Sequence, residues 1–176
     1  MASETQALLA DGKLAGSWTV DGAKSSVGLR TKSVWGLVKV KGVFGQVTGE
    51  AVISAAGQAT GTIRVAAASI DTGMKKRDDH LRSADFFDAA KYPDITFSAA
   101  SVALSGESAT VTGTLTVRDQ TRPVTVSGTV AAHGQDEISL DAELPVNRAE
   151  YGLSFNQLGM MSLDNSIAIH AVFAKA

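Results

Sequence analysis

Between Ser69 and Phe97 the chain reads SIDTGMKKRDDHLRSADFFDAAKYPDITF, and this segment gathers Arg77, Asp78, Asp79, His80 and Arg82 within one short run. A carboxylate beside an imidazole is the pairing used for acid–base work, and arginine is the residue that grips anionic groups. On a helix, however, consecutive residues point about 100° apart, so Asp78, Asp79 and His80 do not converge on one bond. The three histidines, His80, His133 and His170, are scattered, with no H-x-H or H-x-x-x-H spacing to hold a metal. A nucleophile elbow, a phosphate-binding glycine loop and a dinucleotide fingerprint are all missing. Neither catalytic residues nor a metal nor a cofactor is expected. Two roles stay open for Arg77, Asp78 and His80: hydrogen bonds that tie a helix to neighbouring loops, or direct contact with the polar end of a ligand.

The elements that must position this cluster are mostly strands. In VTGTLTV, Val111, Gly113, Leu115 and Val117 fall on one face and Thr112, Thr114 and Thr116 on the other, the period of two of a half-buried strand. VTVSGTV repeats the pattern, and the RDQTRP between them is a turn of hairpin length with Pro123 opening the second strand. Alternating runs recur at Val27, at Val38, at Ile63, at Ile95, at Ile138 and at Ile167, with further strands at SWTVD and GEAVIS. About eight to ten short strands predict an all-β barrel or sandwich. Glycines on the apolar face and uninterrupted polar outer faces favour the antiparallel barrel, of about eight strands.

More than 20 residues separate the strand ending near Ile70 from the one starting near Asp94, too many for a plain loop. One short helix is predicted near residues 74–84, where MKKRDDHLRSA contains no Gly or Pro. Asp71 or Thr72 is its expected cap, Asp78 and Arg82 its expected supporting pair, and Tyr92-Pro93 its stop. Met74 and Leu81, seven apart, form the stripe that meets the barrel. Phe86 and Phe87 are adjacent, so in regular structure one faces inward and the other the cavity mouth.

Composition bounds the rest. A chain of 176 residues with 44% hydrophobic content suits one domain, and a net charge of −2 gives no basic surplus for nucleic acid. Without cysteine, the redox compartment cannot be read. Residues 1–16 are read as a polar leader and 17–176 as a single barrel domain. Glu4, Gln6 and Asp11 interrupt any secretory apolar core, and no run approaches the roughly 20 apolar residues of a membrane span. A soluble, cytoplasmic protein without stable membrane insertion is expected.

Taken together, SIDTG, RDDHLRSADFFDAAKYPDITF, WTVDGAKSSVGL, GVFGQVTGEAVI, GTLTVRDQTRPVTV and NRAEYGL resemble the YceI-like family, in order and over nearly the whole chain. The resemblance implies an extended lipocalin-like β-barrel that holds a polyisoprenoid or isoprenoid quinone inside, as a binding or carrier protein and not an enzyme. It also suggests a homodimer. Relatives are often exported to the periplasm, and many carry a basic residue followed by His after the second strand; here Lys32 and Ser33 stand closest to that place. On this reading Arg77, Asp78, His80, Arg148 and Lys32 lie on the head-group side. The apolar cavity is assigned to Val27, Leu29, Phe44, Ile63, Val65, Met74, Leu81, Phe86, Phe87, Phe97, Leu115, Val117, Val126, Leu140, Phe155 and Ile169. A small stress-related enzyme, or a structural β-domain with a filled core, is the alternative.

Overall fold

A computed structural model describes residues 4–33, 38–151 and 164–176, with the side chains at 32–33, 38–39 and 164 left outside that description. The chain runs through helix α1 (Glu4–Ala10) and strands β1 (Gly16–Val20), β2 (Ser26–Ser33), β3 (Val38–Phe44), β4 (Val47–Ile53), β5 (Ala59–Ala66) and β6 (Ile70–Asp71). Helix α2 (Lys75–Arg82) follows, then β7 (Asp94–Ser105), β8 (Ser108–Val117), β9 (Gln120–Ala132), β10 (Glu137–Asn147) and β11 (Asp164–Lys175). Every pairing is antiparallel, and β1-β4-β5-β7-β8-β9-β10-β11 close into a ring of eight through the β1–β11 contact. The predicted all-β barrel with one short inserted helix is what the chain forms, with α1 in addition.

Closure involves bent strands. The two ends of β11 pair with different partners: Phe173–Lys175 with β1 and Ser166–His170 with β2, so β1 and β2 make one strand interrupted by the turn between them. In the same way β3 runs on into β4, and β5 into β6. Each interruption would orphan backbone groups, and two serines repair them. At the first, Ser25 Oγ accepts from the Val172 N–H (2.9 Å) and donates to the Asp21 carbonyl (2.7 Å), while the Asp21 N–H donates to the Val172 carbonyl. At the second, Ser69 Oγ accepts from the Gln46 N–H (3.2 Å) and donates to the Ala66 carbonyl (2.6 Å).

Strand β7 carries an irregularity of its own. Its inward residues are Ile95, Phe97 and Ala99, then Val102 and Leu104, because the pairing with β8 jumps from Ala99–Gly113 to Val102–Val111 around a bulge. Gly113 lies opposite this point, where an added Cβ would overlap the Ser98 carbonyl; the close approach demands glycine. At the other hairpin end, β8 turns into β9 through Arg118 and Asp119 alone, with Arg118 at φ 57°. Pro123 does not open β9 as expected but lies inside it, opposite Thr114. There β9 has no β10 partner yet, since that pairing runs from Ser127, so proline's missing donor costs no ladder bond.

The ends of the barrel differ. At the lower end, Leu8 and Leu9 of α1 pack on a cluster of Leu14, Trp18, Ile53, Ala132 and Ile138. The Thr5 hydroxyl accepts the Ala132 N–H (2.8 Å), and Trp18 Nε1 donates to the Leu14 carbonyl (3.0 Å). At the upper end β6 is only two residues long, and the chain leaves the sheet for α2. Arg82 latches α2 to this edge by donating to the carbonyls of Ala68 (2.8 Å) and Ile70 (3.0 Å). No described helix is long and apolar enough to cross a membrane.

Loss of the Ser25 hydroxyl leaves the Val172 N–H, on a buried residue, without its acceptor. Ser25→Ala is expected to lower the unfolding free energy by about 1–2 kcal/mol, and Ser69→Ala by less, because its bond to Gln46 is exposed. Urea titration of both variants checks this; a Ser25→Ala protein as stable as the parent would contradict it.

Candidate functional site

Two apolar cavities lie end to end inside the barrel. The upper one, about 100 Å³, is lined by Val27, Leu29, Phe44, Ile63, Val65, Leu81, Phe86, Phe87, Phe97, Leu115, Val117 and Ile169 among others. The lower one, about 120 Å³, is walled by Leu9, Leu14 and Trp18 below and by Ala51, Gly61, Ala99, Val102 and Leu140 along its sides. Ile63 and Phe97 are common to both linings.

A third, more polar hollow of about 360 Å³ sits beside the upper cavity, between α2 and strands β2 and β3. Thr72, Met74, Lys76, Arg77 and His80 line it, and it shares Leu29, Thr31 and Leu81 with the upper cavity. An apolar bore thus adjoins a vestibule rimmed by cations.

Most sequence-assigned apolar residues fall on these walls, with informative exceptions. Met74 is 54% exposed and lines the vestibule, not the bore, because α2 begins only at Lys75 and leaves Met74 outside the helical stripe. Val126 is buried in the core but borders neither cavity. Leu140 belongs to the lower cavity. Phe86 and Phe87 both face inward, 3% and 8% exposed, since they sit in an irregular turn where strand alternation does not apply. Asp88 adopts φ 48° directly after them, and Phe87 meets Phe44 edge to face with centroids 5.9 Å apart. Phe155 and the Lys32 side chain lie outside the described residues.

The charged cluster divides its labour. Asp78 is buried, and its carboxylate accepts from both the N–H and the hydroxyl of Thr72. Burial opposes its ionisation, but the two Thr72 bonds and the guanidinium charges of Arg82 and Arg77 outweigh it and hold the carboxyl below its ordinary value. Arg77 also turns to Thr72, donating from Nε to its hydroxyl (2.7 Å) and from Nη2 to its carbonyl (2.8 Å). Neither Asp71 nor Thr72 caps α2; Met74 is the N-cap residue and makes no side-chain cap bond. Arg82 forms its ion pair with Asp79 (3.1 Å) in place of the expected Asp78. His80 meets Asp85 (3.1 Å) and stands edge-on to Phe86. Arg77 and Asp78 therefore fold the loop ahead of α2 against the helix, while Arg77 and His80 also border the vestibule.

Arg148 is placed differently from the α2 cluster. It is 6% exposed, lines the upper cavity, and sets its guanidinium 5.6 Å from the Phe86 ring centroid. Burial pushes its pKa down from the usual arginine value. His170 points outward to Asp141 (2.6 Å), and among the described residues no three His, Asp or Glu side chains gather as a metal site. The residues assigned to the site from sequence did not include Lys76, Tyr151, Leu144, Val146 or Ile167, which line the vestibule or the upper cavity. The last three continue alternations already read as strand, so the inward phase of β10 and β11 was the available signal.

An eight-stranded antiparallel barrel, apolar inside and closed at one end by a short helix, is the architecture of a lipocalin-like protein. The YceI-like domain matches residues 18–173, and the chain belongs to that family. Among curated relatives, protein YceI of Escherichia coli O157:H7 is 46% identical over 68 residues, 39% of this chain and 36% of the relative's length. Protein YceI of Salmonella arizonae is 43% identical over the same extent. Among solved structures, BcnA of Burkholderia cenocepacia superposes with a TM-score of 0.79 at 29% identity, covering 87% of this chain and 98% of BcnA. A polyisoprenoid binding domain from Saccharophagus degradans, implicated in plant cell wall breakdown, shares the fold with a TM-score of 0.75 at 17% identity, covering 90% and 98% of the two chains.

Removing the buried carboxylate tests its structural part. Asp78→Ala is expected to lose about 1–3 kcal/mol near neutral pH, as two bonds to a charged acceptor disappear. A carboxyl held low in the folded state stabilises it above the ordinary carboxylate value, and that stabilisation fades as pH falls through the lower folded value. The gap between parent and variant should therefore close in acid. Denaturation at pH 7 and at stepwise lower pH measures it; a gap independent of pH would contradict the assignment.

Proposed function

We propose that the chain binds a long isoprenoid-type lipid as a carrier, with the tail in the barrel and the polar head in the vestibule beside α2. The observation that carries this reading is the adjacency of the apolar bore to the cation-rimmed vestibule across Leu29, Thr31 and Leu81. Apolar burial supplies the driving force, roughly 25 cal/mol per Å² before ordering costs. A polyisoprenoid, the ligand class named for the Saccharophagus degradans domain, has the linear, branched-methyl form that suits a narrow aliphatic bore. The vestibule adds Lys76, Arg77 and His80 for a quinone carbonyl or a phosphate ester. Arg148, inside the upper cavity, is the inward counterpart. Binding is the reading that this cluster favours, since Arg77 and Asp78 spend their hydrogen bonds on Thr72 in holding the loop ahead of α2.

Native mass spectrometry with organic extraction of protein purified without added lipid is expected to reveal a bound isoprenoid. Lys76 is exposed and suits mutation better than the loop-bonded Arg77. Lys76→Gln should weaken binding of a prenyl monophosphate about two- to fivefold while leaving the prenyl alcohol of equal tail unchanged. Protein that extracts free of lipid and binds neither probe would overturn the reading.

A further inference from the structure

The two barrel cavities are separated by size, row by row. One inward row across β4, β5, β7 and β8 reads Ala51, Gly61, Ala99 and Gly113, joined by direct cross-strand pairing. The next row towards the upper end reads Gly49, Ile63, Phe97 and Leu115. Small side chains in the first row leave the space of the lower chamber, and the bulge after Ala99 turns Val102 and Leu104 inward to line it. Apart from Gly49 the second row is large and narrows the bore, and Ile63 and Phe97, paired directly and each 7% exposed, border both chambers.

We infer that Ile63 and Phe97 form a neck that divides the bore into two tail subsites, and that the lower chamber selects for tail length. This inference rests on the isoprenoid-binding reading above. Each chamber is near or below the cavity size that holds one benzene-sized apolar molecule, about 150 Å³, so about one five-carbon unit at the end of a short tail fills the upper chamber and stops at the neck. A longer tail gains affinity only by displacing the two side chains and entering the lower chamber. That chamber is walled by Leu, Val, Ala and Trp and floored by Leu9 and Leu14, so its contribution is apolar and its depth finite. Length selection of this kind comes from the neck and the floor and does not involve the vestibule.

The test compares prenyl alcohols of two and six isoprene units, presented in the same detergent, by calorimetric titration. The wild type should bind the longer one at least about tenfold more tightly, the gain expected from burying one further five-carbon unit. Val102→Phe fills the lower chamber and should bring the ratio of the two affinities close to one, with short-tail affinity unchanged. Val130→Phe, on a different strand of the same chamber, repeats the test if the first variant does not fold. Phe97→Leu widens the neck and should speed long-tail association more than that of the short tail, whose chamber Phe97 also lines. A ratio preserved in a folded, filled variant, or short and long tails weakened equally, would overturn the neck. A wild type that binds neither alcohol would instead overturn the isoprenoid reading itself.

Discussion

Backbone hydrogen bonding along β11 is the constraint on which the rest depends. That strand must satisfy partners on both sides over its whole length, yet the barrel has to close below and stay open above. The chain meets both demands by giving β11 two successive neighbours, β1 and β2, with the Ser25 hydroxyl standing in for a peptide group where they separate. Ser69 does the same where β5 hands over to β6. Buried peptide groups left unmatched are costly, so the bends sit where a side chain can complete the ladder. From those bends follow a sealed lower ring and an upper rim to which a helix can be fastened.

The helix then determines what the rim exposes. Arg82 holds it to the carbonyls of Ala68 and Ile70, and Asp78 and Arg77 tie down the loop in front of it. With the loop fastened, Phe86 and Phe87 are carried inward over the upper cavity, and the polar side of α2 faces the vestibule. The same charges that suggested acid–base chemistry thus do their work mainly by fixing geometry. Among the described charged and titratable side chains, Lys76, Arg77 and His80 border the space a head group would need.

Much of the fold was legible because a strand with one wet face writes its phase into the sequence. Val111 to Val117 and Ile138 to Val146 show it plainly, and the helical insertion stood out by length and charge. The bulge left a trace too: apolar residues shift from the odd positions 95, 97 and 99 to the even positions 102 and 104, a slip of one residue. What was not legible has a common physical cause. Phe86 and Phe87 lie in an irregular turn with no period, and Met74 misses the helical stripe by a single residue. Inward phase can be read from one chain, but empty volume cannot. Cavities arise from which small residues face each other across strands, as Gly61 and Ala99 do, and that pairing depends on register. The short helix at Glu4–Ala10 likewise shows little stripe of its own and is held by contacts distant in sequence.

The β7 bulge bears on how such a barrel tolerates changes in length. Ala100 is the residue without a partner in β8. Deleting it alone would leave Phe97, Ala99, Val102 and Leu104 in plain alternation, all still turned to the interior. A one-residue slip of the strand that kept Ala100 in regular pairing would turn in Ser101, Ala103 and Ser105, and the lower bore would become wettable. Dryness at the bottom of the barrel is therefore kept by a count of residues as much as by their chemistry, and Ala100 marks the place where that count can change harmlessly.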